Sequence, residues 1–281
     1  MTIESNSSYL SKYFKIFKNN PLINVVNLDG VIGSVNFKQG LTLFHLNKTL
    51  EEAFKGKNLK AVILNINSPG GSPVQSELIS KRITQLSKQK NIPVIAFVED
   101  IAASGGYWLA CSASEIIVAD NAILGSLGVR FSGFGLNKVI ERLGIERRIY
   151  TQGESKALLD PFLAEKQEDI DIILKVQADI YENFKNHVHQ GRLGKLKLGD
   201  AEIFSGTIWS GKQAVEIGIA DKTGDLYSEL QERFGVDVNI KIINQEKSWL
   251  KRKLGIMAES LLQIAASTAF NKVLDKKFEL R

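Results

Sequence analysis

One serine stands where strand-like sequence turns into helix-like sequence, and this position suits a nucleophile. Before Ser104, residues 92–98 are mostly apolar and predict a buried β-strand. After it, residues 105–113 are small and apolar with no helix breaker, which predicts a buried helix. A serine at such a junction exposes its Oγ above the positive end of the helix dipole, which favours a developing negative charge. Ser104 is therefore the candidate nucleophile.

A pair of glycines follows the preceding strand-like segment. Residues 59–66 predict that strand, and the sequence NSPGGS occupies positions 67–72. Paired glycines after a strand let backbone N–H groups converge on an anion, which is what an oxyanion hole requires. Gly70 and Gly71 are therefore candidate donors, and their occurrence on the strand before Ser104 strengthens both assignments.

The three histidines are poorly placed to serve as the base for this serine. His45 lies on a segment that is typical of an ordinary amphipathic helix, and no histidine occurs between Ser104 and His187. His187 and His189 fall on a long polar helix, where a solvated face is the simpler interpretation. A Ser-His-Asp triad is therefore disfavoured, and lysine is the next candidate.

Lys156 follows a strand-like segment at 147–151 and precedes apolar residues at 157–159 and 162. A lysine amine accepts a proton near neutral pH only where burial or local charge lowers its pKa from the usual value of about 10.4. The apolar neighbours could supply a dry setting for this amine. An ordinary solvated lysine is the alternative.

Four motifs together carry a family resemblance. They are NSPGG, AASGGYWLACSASEIIVADNAILGSLGV, GESKALLDPF and WSGKQAVEIGIADKTG, in that order along residues 22–235. This set resembles the signal peptide peptidase A (SppA/SohB) family of serine peptidases. The resemblance implies a dyad of Ser104 as nucleophile and Lys156 as general base. It also implies an oxyanion hole at Gly70 and Gly71 with the neighbouring Gly105, and a role for Ser126 in orienting the lysine amine.

The chain departs from the family pattern at several points. Ser155 stands where many members carry a tyrosine before the base lysine. The ASGG and NSPGG motifs each occur once, whereas larger members duplicate the domain. No window of about 18 consecutive apolar residues predicts a membrane-spanning helix, and residues 1–20 lack the apolar core of a signal peptide.

Composition excludes several other classes of protein. The net charge of +5 is modest and the lysines are scattered, so nucleic acid is not an expected partner. Cys111 is the single cysteine, so there is no internal disulfide, and a reducing, cytoplasmic location is expected. No metal-ligand cluster, phosphate-binding loop or dinucleotide fingerprint occurs, and the prediction includes neither metal nor cofactor.

The order of the elements predicts an α/β fold. Strand-like and helix-like segments alternate from residue 24 to residue 119, and a long helix is predicted over 166–190. The resemblance implies a ClpP/crotonase-like spiral of β-β-α units. We expect three parts: an N-terminal amphipathic segment (1–21), a peptidase domain (22–235) and a C-terminal helical tail (236–281).

The two terminal segments each carry an apolar stripe beside basic residues. The stripes lie at 9–17 and 250–264. Docking on the chain's own domain, association between subunits, and peripheral contact with the inner face of a membrane are the three interpretations. In the resembled family the catalytic serine and lysine can meet across a subunit or domain boundary. Because this chain holds one copy of the domain, we expect a homo-oligomeric ring in which neighbouring subunits complete the site.

The sequence thus predicts a serine endopeptidase that cleaves peptides such as signal-peptide remnants or membrane-derived fragments. A crotonase-like acyl-CoA hydratase or isomerase is the competing enzyme class, since that fold shares a glycine-built oxyanion hole. A catalytically idle scaffold protein of the same fold is the non-enzymatic alternative.

Overall fold

A mostly parallel β-sheet organises the chain in the computed structural model, which describes residues 20–35 and 38–244. Eight of the described strands form this sheet, and two short strands form a separate hairpin. The strands are β1 (Leu22–Asp29), β2 (Ser34–Val35), β3 (Lys38–Gln39), β4 (Leu59–Ser68), β5 (Val94–Ala103), β6 (Glu115–Val118), β7 (Ile123–Gly125), β8 (Ile208–Ser210), β9 (Lys222–Thr223) and β10 (Asn239–Ile243).

Helices connect most neighbouring strands of the sheet. They are α1 (Leu43–Ala53), α2 (Pro73–Lys90), α3 (Gly105–Ala110), α4 (Asn137–Arg142), α5 (Gln167–Gly191), α6 (Asp200–Ile203), α7 (Gly211–Glu216) and α8 (Leu226–Phe234), with a 3-10 helix at Glu154–Ala157. The strand order is β10-β1-β4-β5-β6-β9, and every pair in this row is parallel. Strand β7 pairs in parallel with the end of β5, and β8 pairs antiparallel with β7.

The parallel sheet with connecting helices confirms the α/β fold class. Two details of the sequence analysis differ from the structure. Residues 147–151, interpreted as strand-like, form no strand, because they lie at the surface without a neighbouring strand to pair with. Strand β10 pairs with β1, so the sheet continues past residue 235, where the predicted peptidase domain ended.

Both faces of the central strands are buried, as their near-continuous apolar runs predict. A large apolar core lies on one face, where α1, α2, α3 and α5 contribute side chains. A smaller core lies on the other face, where Leu226 and Leu230 of α8 pack near Ile63 and Phe97. This packing fixes the ends of β4 and β5, from which the candidate site residues follow.

The short helix α3 is anchored to the large core on two sides. The Tyr107 hydroxyl donates to the carbonyl oxygen of Ile219 at 2.8 Å. The Trp108 ring stacks on Phe184 with ring centroids 4.8 Å apart. Every residue of α3 is buried. The helix that follows Ser104 is therefore held rigidly, which a nucleophile at its start requires.

A buried ion pair holds the loop that Tyr107 contacts. The Arg192 side chain is 1% exposed, and its Nη1 donates to Asp221 at 2.7 Å. Nε and Nη2 of Arg192 both donate to the carbonyl oxygen of Gly218. Asp221 also accepts from the Ile116 N–H and pairs with Lys195 at 2.7 Å. This network connects the 218–221 loop to strand β6.

No helix in the described part of the chain is both long enough and apolar enough to span a membrane. The N-terminal segment through residue 19 and the tail from residue 245 lie outside the described residues. Their amphipathic stripes and the three-part domain division stay predictions.

We expect Asp221→Ala to lower the free energy of unfolding by about 3 kcal/mol or more, because it leaves Arg192 buried without its counter-charge. Thermal or urea unfolding would measure this loss. The matched control is Asp120→Ala, which removes an exposed pair with Lys212 and should cost about 1 kcal/mol at most. Equal losses in the two variants would contradict the structural role of the Arg192 network.

The same pair predicts a pH dependence. Burial by itself raises the pKa of Asp221, but the hydrogen bonds from Arg192 and Lys195 outweigh it and lower the pKa below the usual value. The stabilisation that ionised Asp221 provides is therefore complete above the pKa of this carboxyl in the unfolded state, about 3.9. It is lost as the pH falls through the lower pKa of Asp221 in the folded state. The stability difference between wild type and Asp221→Ala should therefore be constant near neutral pH and narrow below about pH 4.

Candidate active site

Ser104 occupies the turn between β5 and α3, as the sequence predicts. Its backbone has φ 50° and ψ −118°, a conformation that non-glycine residues rarely adopt. The Ser104 N–H donates to the carbonyl oxygen of Gly125 at 2.8 Å, which fixes this turn against β7. A serine held in so unfavourable a conformation by its surroundings is typical of a functional site. Its side chain is half-buried, so Oγ remains accessible.

The glycine pair lies directly against this turn. A Cβ atom added to Gly70 would stand 2.7 Å from the Gly105 nitrogen and 2.9 Å from the Ser104 Cβ, so only glycine fits there. Gly70 also has φ 98°, which favours glycine independently. The predicted convergence of Gly70, Gly105 and Ser104 is therefore present in the fold.

The N–H groups of the two glycines differ in their partners. The Gly70 N–H donates to Ser68 Oγ at 3.2 Å. The Gly71 N–H has no hydrogen-bond partner within the described residues, although its neighbours are fixed by Ile32. Ile32 donates its N–H to the Gly70 carbonyl and accepts from the Ser72 N–H, both at 2.8 Å. Gly71 is therefore the better placed of the two as an oxyanion donor.

Gly105 supplies a second available donor. It is the first residue of α3, and the first backbone bond of the helix runs from the Trp108 N–H to the Ser104 carbonyl at 3.0 Å. The Gly105 N–H precedes that bond, so it is one of the unpaired donors found at any helix start. Among the described residues, the Gly71 and Gly105 N–H groups thus have no hydrogen-bond partner, and Gly105 directly follows Ser104.

Ser126 lies beside Ser104 at the end of the neighbouring strand. Ala103 of β5 is in register with Gly125 of β7, so the next residues, Ser104 and Ser126, leave the sheet side by side. Ser126 also has a positive φ, 53°, and its N–H donates to the Thr207 carbonyl at 2.7 Å. This arrangement is compatible with the predicted role of Ser126 near the catalytic groups.

Lys156 lies on the 3-10 helix Glu154–Ala157, exposed to solvent. No hydrogen bond or ion pair joins its amine to any residue in the described ranges, and none joins it to Ser104. A groove of about 810 Å³ lies among residues 131–137, the first half of α5 and part of the segment 154–166, but Lys156 does not line it. Ser104 and Lys156 are therefore not hydrogen-bonded to each other in this structure.

The histidines do not approach Ser104 in the described structure. His45 pairs with the Thr42 hydroxyl, and His189 pairs with Asp200. His187 differs from the expected solvated residue. It is mostly buried, its Nε2–H donates to the Trp108 carbonyl at 2.8 Å, and its ring stacks on Trp108. Burial lowers its pKa. The reason is that α5 packs on α3, so this position faces the core.

Cys111 and the potential metal-ligating side chains are the other reactive groups among the described residues. Burial raises the pKa of the Cys111 thiol to about 12, so it is not a thiolate at neutral pH and is a core residue, as expected. Between residues 20 and 244, leaving aside 36 and 37, no three His, Cys, Asp or Glu side chains are grouped so that they could hold a metal ion.

Buried serines are the site residues that the sequence analysis missed. Ser76 is fully buried, and its Oγ donates to the Ser72 carbonyl at 2.9 Å. The same Oγ would stand 2.4 Å from a Cβ on Gly105. Ser68 bonds the Gly70 N–H, as described above. Their helix and strand positions look like ordinary core positions in sequence, so only the tertiary contacts identify them.

We expect Gly70→Ala to distort the turn at Ser104 and abolish its reaction with a fluorophosphonate probe, because no space exists for the Cβ. Labelling rates and thermal unfolding would measure the effect. The matched control is Gly30→Ala, which has nearly the same φ, 96°, but nothing within 4 Å of an added Cβ. The control should label normally and lose only about 1 kcal/mol of stability. Normal labelling of Gly70→Ala would contradict the described contact.

Comparison with known proteins adds a family to this geometry. The model of Peptidase family S49 matches residues 86–241, which is more than half of the chain. The model of the NfeD1b N-terminal domain matches residues 33–135. A solved structure of a membrane-bound stomatin-specific protease covers 80% of this chain and 98% of its own, with 15% identity and a TM-score of 0.46.

Curated relatives share the same region. A Brucella melitensis protein named Na(+)/H(+) antiporter NhaA is 43% identical over 235 residues, which are 83% of this chain and 32% of that protein. The putative signal peptide peptidase SppA of Enterococcus faecium is 32% identical over 180 residues, which are 64% of this chain and 51% of that protein. The chain thus spans about half or less of the length of these relatives.

The family match favours the peptidase interpretation over the acyl-CoA hydratase or isomerase alternative. It includes the Ser104 turn, the Ser126 strand end and the Lys156 segment within one matched region. With the half-buried serine and the two available N–H donors beside it, the sequence match and the geometry agree. This chain belongs to the peptidase S49 family of serine proteases.

Proposed function

We propose that this chain is a serine endopeptidase domain in which Ser104 is the nucleophile and Lys156 the general base. The observation that carries the proposal is the Ser104 turn, against which Gly70 packs, with the Gly71 and Gly105 N–H groups free of partners among the described residues. These donors suit the oxyanion of an acyl-transfer intermediate. The preference for lysine is supported by the histidines, each of which has a hydrogen-bond partner other than Ser104.

The reaction proceeds in two halves. The neutral Lys156 amine removes the Ser104 Oγ proton while Oγ attacks the peptide carbonyl carbon, and the Gly71 and Gly105 N–H groups bind the resulting oxyanion. The intermediate collapses as the lysine ammonium gives its proton to the leaving amine. Water, deprotonated by the same lysine, then attacks the acyl-serine carbonyl carbon, and the lysine ammonium returns its proton to the departing Ser104 Oγ. Ser126 lies beside Ser104, and its hydroxyl accepts a hydrogen bond from the Lys156 amine or donates one to it. This bond orients the amine.

Lys156 requires a second subunit to reach this position. It belongs to an arm, residues 130–166, that contains large apolar side chains left in solvent, with Phe134 84% and Tyr150 92% exposed. Apolar stripes of this extent usually mark an interface. We infer that the arm packs on a neighbouring copy in a closed homo-oligomer. Burial at that interface would also exclude water from the Lys156 amine. The other exposed apolar residues of the arm are Phe131, Val139, Leu143 and Ile145.

The substrates that fit this proposal are peptides, including signal-peptide remnants and membrane-derived fragments. Support comes from the family and from the curated relative named as a putative signal peptide peptidase. A cytoplasmic location, with peripheral contact at the inner face of a membrane through the terminal segments, completes the proposal. Its support is the single buried cysteine and the basic, amphipathic sequence at 9–17 and 250–264.

We expect Ser104→Ala and Lys156→Ala each to lower kcat on a peptide substrate by about 10³-fold or more, with the double variant little worse than either. A nucleophile and its base act as one unit, which is why their losses do not add. Lys197→Ala, which changes another exposed lysine, is the control and should leave kcat unchanged. Near wild-type turnover by Lys156→Ala would reject the dyad.

Mixing the two inactive variants tests whether the dyad is shared between subunits. Where serine and lysine come from different chains, random exchange of equal amounts restores both groups at about a quarter of the interfaces, and activity recovers to about that fraction. Mixing Ser104→Ala with the double variant is the control and should restore none. No recovery after verified subunit exchange would place both groups in one chain.

A further inference from the structure

One buried side chain, that of Ser68, hydrogen-bonds to the backbone of the glycine loop. Ser68 is the last residue of β4 and is fully buried. Its Oγ accepts the Gly70 N–H at 3.2 Å, two residues along the chain. The Gly71 N–H is left as the unpaired donor of the glycine pair within the described residues. The Ser68 hydroxyl thus binds one N–H group of the glycine pair and leaves the other without a partner.

Ser68 also contacts the helix that carries the second donor. A Cβ added to Gly106 would stand 2.4 Å from the Ser68 carbonyl oxygen and 3.2 Å from the Ser68 Cβ. In the sheet, Ser68 is in register with Ala102, two residues before the nucleophile. Ser68 therefore contacts both the Gly70–Gly71 loop and the first turn of α3.

We propose that Ser68 is a positioning residue for the oxyanion hole. By taking up the Gly70 N–H, its Oγ fixes the loop so that the Gly71 N–H points toward the same space as the Gly105 N–H. Without this acceptor the Gly70 N–H would be buried without a partner, and the loop would turn to satisfy it. The inference rests on the proposed function, since it concerns the oxyanion of that reaction.

The test compares a ligand that forms an oxyanion with one that cannot. A peptide aldehyde adds the Ser104 oxygen and places an oxyanion in the hole, whereas the matching peptide alcohol binds the same subsites without reacting. We expect Ser68→Ala to lower kcat about 10-fold with little change in KM. Its affinity for the aldehyde should fall by the same factor, and its affinity for the alcohol should not change.

Ser80→Ala is the matched control. Ser80 is 2% exposed and its Oγ accepts from Ser112 at 2.8 Å, so the variant also removes a buried serine hydroxyl. It should alter neither kcat nor the ratio of aldehyde to alcohol affinity. Ser68→Cys keeps an acceptor atom at nearly the same volume, so it should recover part of the aldehyde affinity and serves as the test should Ser68→Ala not fold.

The outcomes separate the two proposals. Unchanged kcat and aldehyde affinity in Ser68→Ala, or equal losses for aldehyde and alcohol, would overturn the positioning role while the wild-type activity stands. A folded wild-type chain that forms no adduct at Ser104 with aldehyde or fluorophosphonate would overturn the proposed function, and this inference with it.

Discussion

The close approach of two strand ends is the constraint on which the candidate site depends. The backbone of Gly70, after β4, touches Ser104 and Gly105, after β5, at distances that leave no room for a side chain. Parallel strands place their carboxyl ends at one edge of the sheet, so consecutive strand–loop–helix units can converge there. The apolar packing on both faces of β4 and β5 fixes this approach.

Contacts elsewhere in the described fold hold the two strand ends and the helix that follows Ser104 in place. Helix α3 is anchored by Tyr107 to the 218–221 loop, which the Arg192–Asp221 pair in turn fixes against β6. The 125–126 turn is held by the Thr207 carbonyl, just before β8, and by the Trp209 ring of β8, which lies where a Gly125 side chain would be. Trp209 begins the WSGKQA segment of the fourth sequence motif, so the start of that segment packs against this turn.

Sequence could predict the parts of the site that depend on local chain geometry. Ser104 and the glycine pair follow apolar strands, and a strand end followed by small residues has few alternative structures.

What sequence could not predict depends on contacts distant along the chain. His187 looks solvated on a polar helix but faces the core because α5 packs on α3. The 147–151 segment has strand-like residues but no partner strand, and β10 joins the sheet only through β1. Ser68 and Ser76 carry no signal until the loops are folded together.

The positive φ angles of Ser104 and Ser126 mean that this fold gives up stability at its reactive edge. Non-glycine residues in such conformations cost of order 1–3 kcal/mol each, and the two lie side by side across β5 and β7. Glycine at both positions would relieve that strain and remove both hydroxyl groups. We therefore expect variants of this chain selected for thermal stability alone to replace these two serines.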